Sequence, residues 1–558
     1  MPVCQRISPL WLMGLYLGLL SLFPLAYYNR MISLPFTEAF LPTDTFDDTY
    51  YLGLISDGIA HDSMTSNHNH PEHAAGPMVR PGWLEWIWGR TSRVLGLDIR
   101  STYWAGTALC AMLSCLGWWL MGRALGMGSS ASALGAFLVL TTTIGMYAFR
   151  PVHPQLSLPL FLLFEAALSS WWKSRHRYIL VAFSIFLALN CYGYPHFWTL
   201  GCIHAFLLGC TLIFRRDWIG AGFLTLATLA ALGAAYPVWH NLMTTLADPA
   251  YPDLMFRLGH DTSGAPLFSF SLTALLVLAV LGSRGACRVW LVSLACGLLL
   301  CTNMQVITGH AASPSRWIWY VGKPFLLLIV MTILGERILR WKAWKGRTRL
   351  GTTLVLVIAG SLSLALQIKD AIESGRIKWV DRNGAMAPVM HWMSRNLPPD
   401  SVVAAPHLLS PHLRVYAGLN AYNCGHGQAQ LIFQKEYSER LDSQDYLQGM
   451  TLENYTEALD KYLAHRTSLH YGSHFHRQSG GYENVPDSIR RHLIEGYAAL
   501  LASQQEGPWK PRFACDYVVI ETANENPVTL KPHSTFKPER IPGTKIWEDT
   551  HYSVWQIR

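Results

Sequence analysis

Eleven long apolar runs constrain this chain more than any other feature, because a run that needs a non-aqueous neighbour along its whole length excludes an ordinary soluble fold. The first is Pro9 to Tyr28, uncharged throughout. At roughly 1.5 Å per residue it reaches across a hydrocarbon core of ~30 Å. A signal peptide is the other reading of such a segment. This one is long for a signal core and lacks a small-x-small cleavage site, so it is read as a retained anchor. Ten further runs lie near 102–122, 130–149, 156–172, 178–191, 197–214, 219–240, 266–283, 288–303, 317–335 and 350–368. Those at 178–191 and 288–303 are short enough to be tilted or re-entrant. The composition agrees: 51% of the 558 residues are hydrophobic and 14% charged, against about a quarter charged in a globular average. The expectation is a polytopic helical membrane protein with about eleven transmembrane helices.

Loop charges set the expected orientation. Alternate connections carry Arg123; Lys173, Arg175 and Arg177; Arg215 and Arg216; Arg284 and Arg288; and the cluster Arg337, Arg340, Lys342, Lys345, Arg347 and Arg349, on the same side as Arg6. The short intervening loops carry only Arg150, Arg257, Arg316 and Lys323. Positive charge favours the cytoplasm, which puts the N-terminus inside and, after eleven crossings, the C-terminal part outside. The net charge of +8 is then a consequence of topology, with membrane lipids as the partner of the basic loops and no nucleic acid expected. Of eleven cysteines, only Cys424 and Cys515 fall in the polar C-terminal part. A disulfide between them is one reading, which spacing alone does not establish.

The chain divides into a membrane module, 1–369, which includes a long outer loop at 29–101, and a polar segment, 370–558. In the loop, Asp48 to Ile59 reads as a helix with Leu52, Ile55 and Ile59 on one face, ended by Gly58 and the polar residues after it. A second helix starts at Pro81, carries Trp83, Trp86, Ile87 and Arg90 on one face, and is capped by Gly96. Helices this rich in Tyr and Trp are expected to lie in the headgroup layer. The polar segment reads as α/β, with a helix at 389–396, strands at 401–405, 517–520 and 552–558, and a helix at 493–501. It has no Gly-rich phosphate loop and no GxSxG, which suits an accessory or acceptor-binding domain.

The chemistry-bearing motif is Asp47-Asp48-Thr49-Tyr50-Tyr51. A carboxylate at a membrane surface can take the proton of an acceptor hydroxyl as that oxygen attacks an anomeric carbon. Two adjacent acids also raise each other's pKa, so one can act as base while its neighbour binds or stays protonated. Helix capping by Asp accounts for the pair equally well from these residues alone. Arg150, Arg316 and Lys323 are candidates for holding an anionic group, and His153, in Arg150-Pro-Val-His-Pro-Gln155, for binding substrate, since a cation at membrane depth is costly without a partner; snorkelling to the interface is the plainer alternative. His61, His68, His70 and His73 lack a regular helical pairing. A divalent metal is one reading of them and a substrate-covering loop the simpler one, so no cofactor is expected; His470, His474 and His476 are read the same way. Tyr192-Gly-Tyr-Pro-His196 and the acids Asp248, Asp253 and Asp261 can line an acceptor groove.

The layout and motif resemble the GT-C superfamily of polytopic membrane glycosyltransferases, closest in motif to protein O-mannosyltransferases and lipid A aminoarabinose transferases. Those carry Asp-Glu followed by aromatics where this chain has Asp47-Asp48 and Tyr50-Tyr51. The resemblance implies transfer of a sugar from a polyprenyl-phosphate donor to a lipid, glycan or protein acceptor, with inversion, on the extracytoplasmic face; a bacterial inner membrane is the expected location because no retention signal ends the sequence. The resemblance makes Asp47 or Asp48 the base, with Tyr50, Tyr51 and the four cationic candidates against the substrate. The second acid is Asp where the family has Glu, so either can be the base. A lipid transporter or flippase, and a glycan polymerase or ligase using the same carrier, are the alternatives. Glu165, alone in mid-span with the marginal Lys323, is the feature a transporter would need.

Overall fold

The computed structural model describes residues 9–32, 41, 46–64, 70–79, 82–144, 152, 155–258, 269–283, 285–304, 306, 317–322, 346–375, 384–424, 430–471, 485–504, 507–522 and 536–557. Helices occupy the apolar runs within them. α1 (Pro9–Leu20) and α2 (Leu22–Ile32) run almost continuously. α3 (Phe46–Ala60) and α4 (Trp83–Val94) follow, then α5 (Ile99–Ala124), α6 (Ser129–Val139), α7 (Leu158–Ser174), α8 (Tyr178–Cys191) and α9 (Pro195–Phe214). α10 (Trp218–Ala234), α11 (Tyr236–Ala247), α12 (Tyr251–Leu258), α13 (Phe270–Gly282), α14 (Gly285–Thr302) and α15 (Gly346–Asp370) complete the module.

Among the described residues four helical stretches are long and apolar enough to cross a membrane alone: Pro9–Asn29, Ile99–Ala124, Pro195–Phe214 and Gly351–Glu373. α10 and α11 make a fifth if counted as one span, bent by 64°. The chain is therefore a helical integral membrane protein. The shorter apolar helices within 129–142, 178–191, 272–282 and 287–302 fill four more of the expected runs. The run expected at 219–240 is not one straight helix. Pro237 has no amide hydrogen to continue the ladder, so the chain breaks at Ala235. There the indole Nε1 of Trp239 donates to the Leu232 carbonyl at 3.0 Å, satisfying a carbonyl at the end of α10.

The C-terminal part is α/β. β1 (Val402–Ala404), β2 (Asn420–Ala421), β3 (Tyr517–Glu521), β4 (Gly543–Glu548) and β5 (Tyr552–Ile557) form one sheet in the order β2-β1-β3-β5-β4. β2, β1 and β3 are parallel, whereas β5 and β4 add antiparallel. Alternate residues separate two cores, as a period of two requires. Val403, Tyr517, Val519 and Val554 face α16 (Ala387–Asn396) and α17 (Leu413–Ala417). Val402, Ala404, Val518 and Ile520 face Trp509 and Tyr446 of α18 (Gln434–Leu447). α19 (Leu452–Lys461), α20 (Leu463–Tyr471) and α21 (Asp487–Gln504) pack beyond α18. Cys424 and Cys515 do not form a disulfide, and Cys515 Sγ lies 3.3 Å from the Tyr517 carbonyl.

Glu521, at the end of β3, is 5% exposed, and burial pushes its carboxyl up to about 6. A carboxyl raised in the fold contributes stability that is complete below its unfolded value and is lost as pH rises through the folded value. Glu521→Gln is thus expected to leave stability nearly unchanged at pH 4 and to raise it by up to about 2 kcal/mol at pH 8. Thermal melts across that range check this, and an equal shift at both ends contradicts it.

Candidate active site between the bundle and the C-terminal domain

α3 is not an interfacial ribbon. Its residues from Asp48 to Ile55 are buried in a cluster that joins Leu41, Tyr50, Tyr51, Leu52, Leu54 and Ile55 to Met78, Tyr103, Val152 and Val415. The helix is enclosed by protein, and its aromatics serve that packing where the pattern suggested headgroup contact. Gly58 does not end the helix either. It makes the crossing with α4: a Cβ on Gly58 would meet the Trp86 carbonyl oxygen at 2.3 Å, and one on Gly89 the Ile55 carbonyl oxygen at 2.2 Å. Only glycine allows the two backbones so close. Gly96, at φ 68°, closes α4 as the sequence suggests.

Asp48 is the third residue of α3 and is 2% exposed. Asp47 lies in the same helix, its side chain outside the described residues. Tyr50 and Tyr51 meet edge to face with centroids 5.1 Å apart. Asp57, nine residues on from Asp48 and therefore about two and a half turns away on the opposite side, is 1% exposed. It accepts from Arg414 Nε of α17 at 2.5 Å and is ion-paired with Nη2. Arg414 Nη1 also reaches Asp400 at 2.5 Å. One side of α3 is thus fastened to the C-terminal domain.

The rest of the loop is fastened likewise. His73 Nε2 lies 3.0 Å from Glu436, and Arg440 Nη2 lies 3.2 Å from Glu72. The Met78 backbone exchanges two hydrogen bonds with Asn241 of α11, at 2.7 and 2.8 Å. Arg257 Nη2 of α12 donates to the Gln430 and Ile432 carbonyls, each at 2.8 Å. Of the loop histidines in view, His73 is engaged in this way and His61 lies 3.6 Å from Asp400, while His70 is 0% exposed. Among the described residues no group of three metal-ligating side chains converges.

Of the cationic candidates, Arg150, His153, Arg316 and Lys323 lie outside the described residues, as do His68, His474, His476 and Asp261. Their neighbours are in view. Val152 is in the apolar cluster with Tyr50. Ser157 Oγ accepts from the Tyr194 amide at 2.9 Å, and Tyr194 stacks on His196 at 4.6 Å. His196 in turn meets Trp317, the residue after Arg316, at 4.6 Å. Trp83 of α4 meets Tyr192 at 5.9 Å. Val152, Ser157, Tyr192, Tyr194, His196 and Trp317 therefore belong to one layer beside α3 and α4.

Two acids gain meaning only in three dimensions. Glu85, in the first turn of α4, is 0% exposed and within electrostatic reach of Cys110 on α5. Sequence reasoning passed over it because its neighbours Trp83, Trp86 and Trp88 suggest only an aromatic face. Glu165 lies mid-bundle with both oxygens 3.0 Å from His204 Nδ1, while His204 Nε2 lies 3.1 Å from Ser293 Oγ and 3.2 Å from the Trp290 carbonyl. This network ties α7, α9 and α14 together and supplies the partners a buried carboxyl needs. It accounts for Glu165 without a transport pathway. In the C-terminal domain His470 is buried 3.9 Å from Asp442, and burial pushes its imidazole down to about 3.

No protein-family model and no curated protein sequence matches the chain. Solved structures do. The arabinofuranosyltransferase AftD from Mycobacteria is similar with a TM-score of 0.54 at 13% identity, over 99% of this chain and 40% of that one. The oligosaccharyltransferase AglB from Archaeoglobus fulgidus, in complex with an inhibitory peptide and a dolichol-phosphate, gives 0.44 at 12% identity, over 90% and 69%. ArnT from Cupriavidus metallidurans bound to undecaprenyl phosphate gives 0.35 at 12%, over 97% and 98%. The chain has the fold of the GT-C membrane glycosyltransferases. It spans less than half the length of AftD.

Proposed function

We propose that the protein is a membrane glycosyltransferase that moves a sugar from a polyprenyl-phosphate donor to an acceptor hydroxyl on the extracytoplasmic face, with inversion. The observation that carries this reading is Asp48: a buried carboxylate on a helix held between the bundle and an α/β domain, in a fold shared with membrane glycosyltransferases. The acceptor oxygen attacks the anomeric carbon, the bond from that carbon to the phosphate oxygen breaks, and polyprenyl phosphate leaves with the electron pair. The acceptor proton passes to Asp48 or Asp47. Arg150, His153, Arg316 and Lys323 are proposed to receive the phosphate; Val152, next to His153, and Trp317, next to Arg316, pack in the layer beside α3 and α4. Tyr50 and Tyr51 are proposed to wall the donor site. Eleven crossings, a cytoplasmic N-terminus and an extracytoplasmic C-terminal domain complete the reading on the loop-charge argument, with a bacterial inner membrane as the proposed location.

Purified chain in liposomes, given a panel of polyprenyl-phosphate sugars and a membrane extract as acceptor source, tests it. The expected result is protein-dependent loss of one sugar from its carrier with an equal amount of polyprenyl phosphate released. Movement of the intact donor across the bilayer with no product overturns the reading in favour of a flippase, and transfer of a preassembled oligosaccharide in favour of a ligase.

A further inference from the structure

A second site lies on the far side of the wall that holds Tyr50 and Tyr51. A cleft of about 320 Å³ opens between the start of α5 and the domain helices α16 and α17, lined by Asp98, Arg100, Met390, His391, Ser394 and Val415, among others. That volume falls within the range of small-molecule sites, roughly 300–1,000 Å³. Val415 also belongs to the cluster containing Tyr50 and Tyr51, so the cleft and α3 share a wall.

Its depth relative to the membrane follows from α5. Arg100 is the second residue of a 26-residue span, and Trp104, one turn further in, meets Tyr27 and Tyr28 of α2 at 5.4 and 6.2 Å. Such a girdle of Trp and Tyr marks the boundary between hydrocarbon and water. The cleft therefore stands at the headgroup layer, roofed by the C-terminal domain. Its chemistry is two-sided. Arg100 comes from the membrane helix, and His391 and Ser394 from the domain helix, whereas Ile99, Met390 and Val415 supply apolar wall. The acid of the lining, Asp98, caps α5 through Oδ1, which accepts from the Ser101 amide at 2.8 Å, and its carboxyl also lies within electrostatic reach of Arg100.

We infer that this cleft binds the net anionic, phosphate-bearing head of an amphiphile, with the phosphate between Arg100 and the imidazole and hydroxyl of α16 and the hydrocarbon directed down α5. The planar guanidinium suits a phosphate, and the apolar wall suits the first carbons behind it. The site is separate from the Asp48 face and does not depend on the transfer reaction. Two sources share this chemistry: an anionic bilayer phospholipid and a polyprenyl phosphate.

Native mass spectrometry of the full chain in detergent separates them. The ligands are phosphatidylglycerol, undecaprenyl phosphate and, as a control, phosphatidylcholine. The variants are the pair Arg100→Gln with His391→Gln, and Ser394→Trp, which fills the cleft without changing charge. Both are expected to retain the bound lipid about tenfold less well than wild type, the effect of losing a charge-assisted hydrogen bond. Selective loss of phosphatidylglycerol assigns the site to the bilayer lipid, and selective loss of undecaprenyl phosphate to the carrier. If the charge variant melts early, Ser394→Trp decides alone. Equal retention by wild type and Ser394→Trp, or loss of phosphatidylcholine to the same degree, overturns the inference. Asp48→Asn is expected to retain lipid as wild type does, so failure of the transfer reading leaves this result intact.

Discussion

Asp48→Asn is expected to lower sugar transfer by about 10²–10⁴-fold, the span attributed to removing one positioned acid–base group. The amide keeps the size of the side chain and gives up only the interaction of a first-turn carboxylate with the helix dipole, about 0.3–1 kcal/mol, so α3 should fold and dock unchanged. What it loses is the ability to take a proton. If Asp48 serves only as a first-turn acid favoured by the helix dipole, Asn replaces it at almost no cost to activity. The distinction therefore lies in kcat: a fall in kcat with KM for donor nearly constant marks a group acting in the transition state. Asp47→Asn, measured in parallel, divides the work of the pair. A larger loss at 47 makes Asp47 the base and leaves Asp48 as its partner. Full activity in both single variants refutes the assignment of this motif as the base.

Local pattern carried much of the architecture. The period of the apolar residues placed α3 over 48–59, against an observed Phe46–Ala60, and put strands at 401–405, 517–520 and 552–558 within a residue or two of β1, β3 and β5. Such signals survive because each is encoded over neighbouring residues. What failed to show was everything that depends on partners far along the chain. α3 looks amphipathic and aromatic, which fits a membrane surface equally well. Its enclosure comes from Val415 and Arg414, more than 350 residues away. Glu165 stood out as an acid in an apolar run, but its partner His204 lies 39 residues on and reads as an ordinary core histidine until the two are brought together. Gly58 was legible as a special position and misassigned, because glycine marks both helix ends and close crossings. Asp57 gave no signal at all: an acid near a helix end is ordinary, and only the fold reveals the arginine on its side.

That arginine carries the largest expected effect on stability. Arg414 is buried and holds Asp57 through Nε and Nη2 while Nη1 reaches Asp400. Asp400 is in turn held by its own backbone: its amide donates to the Gly418 carbonyl at 3.0 Å, and its carbonyl accepts from Asn420 Nδ2 at 2.6 Å. Arg414→Met removes the cation but fills similar space, leaving Asp57 charged at 1% exposure. Stranding one half of a buried pair costs about 3–5 kcal/mol. The loss should fall on docking of α3 against the domain, seen as a lower Tm and as protease cleavage between α2 and α5. Adding Asp57→Leu to Arg414→Met removes the stranded charge, and apolar replacements for a buried pair are often neutral or better. The double variant should therefore recover most of the stability, and only a pair that also positions the reacting acid leaves it slow in transfer. Recovered Tm with recovered kcat would make the pair a structural tie alone. Recovered Tm with kcat still depressed, at unchanged KM for donor, would make Arg414 a positioning residue for Asp48, acting through two and a half turns of helix. A single Arg414→Met variant as stable as wild type would show that Asp57 finds water or another partner, and that the domain is held by its other contacts at Glu72, His73 and Arg257.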